Sequence, residues 1–154
     1  MPRTDAEAGF TLIEVVCGLA IIGLIAALVL PAIPRATSQE RLAGYAVEVA
    51  ALLKGDRNAA VRSHAQVATS LDAERRLVIS GATGSTVEIP ADMTFEALLA
   101  QRCGDRRVGA TIDFFPSGTS CGGVIAIARQ GVGYQIRVNW LTGGVEVVPT
   151  VNKS

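Results

Sequence analysis

The sequence predicts an α+β protein, with a long N-terminal helix packed on a small antiparallel, sandwich-like β domain. Three observations lead there. Residues 10–30 form an apolar run whose one ionisable side chain is Glu14. From Leu42 to about His64, apolar residues recur at three- and four-residue steps, the period of a helix with one buried face. Beyond about Gln66 the period falls to two and glycine clusters divide the chain into short runs, as antiparallel strands and tight turns require.

The chain has 154 residues, enough for one long helix and one small domain. Its 14 basic and 14 acidic residues cancel. No global basic field points to nucleic acid, and no acidic excess points to disorder.

Residues 1–9 read as a polar leader and residues 10–33 as a membrane-spanning helix, since about 20 helical residues cross roughly 30 Å of hydrocarbon. A cleaved secretory signal would have a shorter apolar core and a small-residue site after it. Here the run is longer and continues into Pro31-Ala32-Ile33-Pro34, where a kink is expected. Flanking charge leaves the orientation open, because Arg3 is offset by Asp5 and Glu7 while Arg35 and Arg41 follow the run. Residues 34–65 read as an amphipathic helix. Leu42, Tyr45, Val49, Leu52 or Leu53, and Ala59 or Ala60 form its apolar face, and Gln39, Glu40, Glu48, Lys54, Asp56, Arg57 and Arg62 fill the others.

Residues 66–154 read as a β-rich domain. Strands are expected at Arg75–Ser80, Thr86–Ile89, Ala110–Phe115, Gly123–Arg129, Tyr134–Trp140 and Val145–Val148, with a turn at Gln130–Gly133 and a frayed end from Thr150. Tyr134, Ile136, Val138 and Trp140 would share one face. Cys17 lies in the apolar run, where it packs as a small hydrophobe. A Cys103–Cys121 disulfide is expected if the β domain lies outside the cytoplasm. No Cys or His spacing suits a metal, and nothing calls for a cofactor.

The informative string is Gly9-Phe10-Thr11-Leu12-Ile13-Glu14. A carboxylate near the start of a membrane helix is costly, and such a residue is a functional candidate. Cutting after Gly9 would expose a cationic amine on Phe10, one helical turn from Glu14 and equally able to meet the Glu14 of a neighbouring subunit. That contact would set the axial register between identical helices. A solvated Glu at the end of an ordinary anchor is the plainer reading of Glu14 alone.

The whole string resembles the prepilin processing site of type IV pilins and type II secretion pseudopilins, matching at Gly9, Phe10 and Glu14. The resemblance implies cleavage after Gly9 and methylation of the Phe10 amine by a prepilin peptidase, with assembly through Glu14. The leader departs from the family in carrying more acidic than basic residues. Phe114-Phe115-Pro116-Ser117-Gly118-Thr119-Ser120, Gly122-Gly123 and Val138-Asn139-Trp140-Leu141-Thr142-Gly143 resemble the C-terminal region of GspH/FimT-type minor pseudopilins. That likeness implies a long helix packed against a β-sandwich-like domain.

Rival motifs are weaker. Gly118-Thr119-Ser120-Cys121-Gly122 matches the G-x-S-x-G nucleophile pattern, with His64, Asp105 and Asp113 upstream. A nucleophile elbow needs a strand before it and a helix after it, and here a glycine-rich turn leads into a strand. His64, the single histidine, suits a helix C-terminus. Gly81-Ala82-Thr83-Gly84-Ser85 lacks the lysine and following helix of a phosphate loop. Arg75-Arg76, Arg102 and Arg106-Arg107 read as solvated surface.

The expectation is a non-enzymatic minor pseudopilin of a type II secretion system. Its anchor would sit once through the bacterial inner membrane and its β domain in the periplasm, then in the pseudopilus. Expected partners are other major and minor pseudopilins, the prepilin peptidase, the inner-membrane assembly platform and membrane lipid, with no nucleic acid. The alternatives are a type IV minor pilin with a DNA-uptake role through exposed arginines, and an anchored periplasmic hydrolase using Ser120.

Overall fold

The computed structural model describes residues 10–29 and 38–151, in two compact units that part at Arg35 and Ala36. The leader with Gly9, the expected kink at Pro31 and Pro34, and residues 152–154 lie outside the described residues.

The first unit is helix α1, Leu12–Val29. It starts at the Thr11 carbonyl, which accepts the Glu14 and Val15 amides at 3.0 and 3.3 Å. Its composition is apolar on every side, so it has no face of its own to bury.

The second unit begins with helix α2, Ser38–Ser63. Leu42, Ala46, Val49, Ala50, Leu53 and Ala60 are buried in the core while Glu48, Lys54 and Arg62 face solvent. The helix stops where His64 takes the left-handed conformation, φ 53°, a position that glycine usually fills after a helix.

Among the described residues ten strands follow: β1 Val67–Asp72, β2 Leu77–Ile79, β3 Thr86–Glu88, β4 Thr94–Leu99, β5 Arg102–Cys103, β6 Arg106–Arg107, β7 Thr111–Phe114, β8 Gly123–Arg129, β9 Val132–Val138 and β10 Val145–Val151. They form an antiparallel sheet of order β3-β2-β1-β7, a second of order β10-β9-β8-β4, and the small β5-β6 hairpin. Both large sheets contribute to one core with α2, through Leu71, Val78, Ile112 and Phe114 from the first and Ile125, Ile127, Ile136 and Val138 from the second.

The fold class is α+β, as expected. Several local readings are corrected. Strands β1 and β4 were not anticipated: Val67–Asp72 carries serine, threonine and aspartate among few apolar residues, and Thr94–Leu99 does not alternate. The β8–β9 turn is only Gln130-Gly131, both at positive φ, the geometry that matches the twist of a two-residue hairpin. Val132 and Gly133 already pair with Arg129 and Ala128. Strand β9 ends at Val138, so Trp140 does not share its face. Asn139 turns the chain there, its Oδ1 accepting the Leu141 and Thr142 amides at 2.9 and 3.1 Å. At the far end, Thr150 and Val151 belong to β10 and pair with Gly133 and Val132.

Candidate functional site

The N-terminal motif supplies the first part of the site. Phe10 is exposed, and Glu14 stands in the first turn of α1 with its side chain in the open. A carboxylate there is favoured by the helix dipole. From Phe10 to Ile25, every large apolar side chain is between 52% and 85% exposed. Exposed apolar area costs about 25 cal/mol per Å² relative to burial, so this surface calls for lipid or for other helices. Cys17 is exposed on the same helix, among those apolar side chains.

Among the described residues no helix is long and apolar enough to cross a membrane. Helix α1 is described over 18 residues, which rise about 27 Å at 1.5 Å each. The expected span of residues 10–33 runs on past Val29, beyond the described residues.

The second part is a corner of the β domain built from the C-terminal motifs. Arg57 reaches from α2 to two loops: its Nε donates to the Gly118 carbonyl at 3.2 Å, and its Nε and Nη2 donate to the Thr142 carbonyl at 3.1 and 3.0 Å. Gly143, at φ 61°, lies so close that a Cβ would stand 2.1 Å from the Gly118 oxygen and 2.9 Å from Arg57 Nε. The Gly118 and Thr142-Gly143 loops therefore meet because a guanidinium threads between them and no side chain intervenes.

Asp56 corrects the expected polar face of α2. It is 1% exposed, and it accepts the hydroxyls of Thr69 (2.6 Å) and Ser80 and the amides of Gly81 (3.0 Å) and Ala82 (3.2 Å). Four donors solvate a buried carboxylate that no cation pairs among the described residues. The signal for it was in the sequence: residues 49, 53, 56 and 60 share one helical face, so a carboxylate stood on the apolar stripe.

Arg76 also corrects its reading as solvated surface. Its guanidinium is half-buried and donates to the carbonyls of Ile89 and Pro90, both at 2.9 Å, and of Met93. Arg106 donates to Gln66 Oε1. Gln66 Nε2 in turn donates to Asp113 Oδ2 at 2.6 Å, and Asp113 Oδ1 is buried without a partner among the described residues.

Cys103 and Cys121 are joined by a disulfide with Cα atoms 5.4 Å apart, tying the β5–β6 hairpin to the start of β8. Ser120 is buried, its hydroxyl donating to the Asn139 carbonyl at 3.1 Å and accepting the Gly122 amide at 3.0 Å. His64 is exposed, and no bond joins it to Ser120 among the described residues. Ser120 is thus engaged in shaping the corner. No group of residues suited to a metal occurs among the described residues.

Residues 5–30 match the family described as the prokaryotic N-terminal methylation motif. No curated protein matches the chain. Solved structures do. The minor pseudopilin EpsH from the type 2 secretion system of Vibrio cholerae is similar at a TM-score of 0.54 and 10% identity, over 70% of this chain and 95% of that one. The type IV minor pilin FimU of Pseudomonas aeruginosa is similar in two crystal forms. One gives a TM-score of 0.56 at 19% identity, over 77% of this chain and 97% of that one. The other gives 0.52 at 19%, over 73% and 98%. At these identities the likeness is one of fold: an α+β fold of the minor pilin and pseudopilin kind, on a chain that carries an N-terminal methylation motif.

Proposed function

We propose that this chain is a minor pseudopilin of a type II secretion system, working by assembly and not by catalysis. The observation that carries the reading is α1: an apolar helix exposed on all sides, with one carboxylate in its first turn, on a chain whose other unit closes its own core. A prepilin peptidase would cut after Gly9 and methylate the Phe10 amine. Residues 10–33 would hold the subunit in the inner membrane, with residues 66–154 in the periplasm, where the Cys103–Cys121 bond persists. On assembly at the inner-membrane platform, α1 would exchange lipid for the helices of other pseudopilins. Glu14 would gain an amine in place of an unpaired position in hydrocarbon.

Deletion of the gene tests the reading. Loss of protein secretion with surface pili unaffected is the expected result. Loss of pili with secretion intact would assign the chain to a type IV pilus as a minor pilin. The fold likeness to FimU supports that second reading as the likeness to EpsH supports the first. Salt-sensitive DNA binding by the chain would extend it to DNA uptake.

A further inference from the structure

The two large sheets have four edges, and three are closed off. Strand β3 is three residues long, and β10 carries Pro149. The outer side of β7 is engaged by the following chain, where Phe114 bridges Ser120 and the Asp113 carbonyl accepts the Cys121 amide at 3.0 Å. Short strands, proline and cover are the ways by which sheet edges avoid pairing with other chains. Strand β4 has none of them. It is six residues long, Thr94-Phe95-Glu96-Ala97-Leu98-Leu99, without proline, lysine or arginine, and no described strand pairs with its outer edge.

The surroundings of that edge are mostly apolar, with Glu96 the one charged residue of β4. Leu98 lies on the outer face of the sheet, opposite Val124, and is 77% exposed. Along the edge itself runs a groove of about 530 Å³, lined by Leu71, Phe95, Leu98, Leu99 and Ala110 and by one charged side chain, Glu96. A strand laid beside β4 would send alternate side chains into this groove and towards Leu98.

Charge then specifies one end. Arg102, three residues past β4, stands directly opposite Arg107 in the β5–β6 ladder, which puts both side chains on one face. Like charges in that position destabilise a ladder. Neither guanidinium has a partner among the described residues, and the hairpin is held by its disulfide. A pair of carboxylates arriving along the groove would relieve the repulsion.

We infer that β4 is a docking edge, which takes as a further strand an extended segment of a partner protein, apolar at alternate positions and acidic where it passes Arg102 and Arg107. Nucleic acid would satisfy the arginines but has no amide to pair with the edge and no apolar side chain for the groove. The inference stands on the β domain alone and does not need the assembly reading.

The test uses the full chain in detergent micelles and a fluorescent synthetic heptapeptide of alternating valine and threonine ending in two aspartates. Saturable binding by anisotropy is expected. N-methylation of alternate amides, in one of its two phases, should weaken it on the order of a hundredfold, since about three backbone hydrogen bonds would be lost at about 1 kcal/mol each. Replacing the aspartates by lysines should weaken it about fivefold. Arg102→Glu with Arg107→Glu should reverse the order of the two peptides, and Leu98→Lys should weaken both. Absence of saturable binding overturns the inference, as does indifference to both N-methylation phases or to the charged end. Tighter binding of a short DNA duplex would assign the face to nucleic acid. Self-association abolished by Leu98→Lys would assign the edge to a second copy. Either result would overturn the acidic-partner inference.

Discussion

Glu14, Asp56 and Arg57 are polar residues on helices, and each is placed by a different force. Asp56 is buried among apolar side chains, and the two hydroxyls and two amides that solvate it come from β1 and the turn after β2. Asp56→Ala would leave those donors unsatisfied in the core, at a cost on the order of 3 kcal/mol or more. Chemical unfolding followed through the near-ultraviolet signal should show it. A loss below about 0.5 kcal/mol, the scale of an ordinary surface change, would mean that the network is not formed. Glu14 faces outward, and the partner proposed for it lies off the chain. Glu14→Ala is expected to be processed normally at Phe10 but to enter fibres poorly; fibre fractions with wild-type content of the variant would remove the proposed pairing. Ser120→Ala should cost about 1 kcal/mol of stability through its lost bond to Asn139 and leave function intact. Loss of a measurable hydrolytic activity in that variant would revive the enzyme reading.

Among the elements, the corner formed by the Gly118 loop, the Asn139–Gly144 loop and Arg57 depends on close backbone approach. A Cβ at Gly143 would collide with the Gly118 carbonyl, and its positive φ adds strain. Gly143→Ala should therefore destabilise the domain by about 1–3 kcal/mol and raise hydrogen exchange locally at the Asn139 and Gly144 amides. Unchanged exchange at those sites would show that the loops move apart without cost. The β5–β6 hairpin has only two paired positions, too few to persist alone. Its disulfide closes a loop with a sequence separation of 18, for which about 3 kcal/mol of stabilisation is typical. Reduction, or Cys103→Ser with Cys121→Ser, should lower the unfolding midpoint and free the hairpin. An unchanged midpoint would place the hairpin's stability elsewhere.

At the scale of the molecule, the two units are stabilised in different ways. The β unit buries its own apolar residues around α2, whereas α1 is left with its apolar side chains exposed. A protein built so is incomplete as a single chain in water. The proposed processing makes this measurable: mature protein from cells with an active prepilin peptidase should begin at a methylated Phe10 by intact mass and terminal sequencing. A chain still beginning at Met1 would contradict the pilin reading altogether.

The helices and several strands were legible in the sequence, because one physical variable, apolar period, suffices for them. Ser63 ends α2 close to the expected His64, and Gly123–Arg129 appears as read. Strands β1 and β4 were not legible, since β4 does not alternate and the polar residues of β1 meet partners distant in sequence. Thr69, for example, is buried by donating to Asp56. Read alone, the sequence determines the apolar helix, its single carboxylate and the N-terminal methylation motif of residues 5–30, all local patterns. The tertiary structure decides which polar residues are structural and which are left for partners. It buries Asp56, commits Arg57, Arg76 and Ser120 to backbone contacts, and leaves the edge of β4 beside Arg102 and Arg107 unpaired. The reason is physical: helical period reports burial along one element, whereas hydrogen-bond satisfaction and sheet edges exist only between elements.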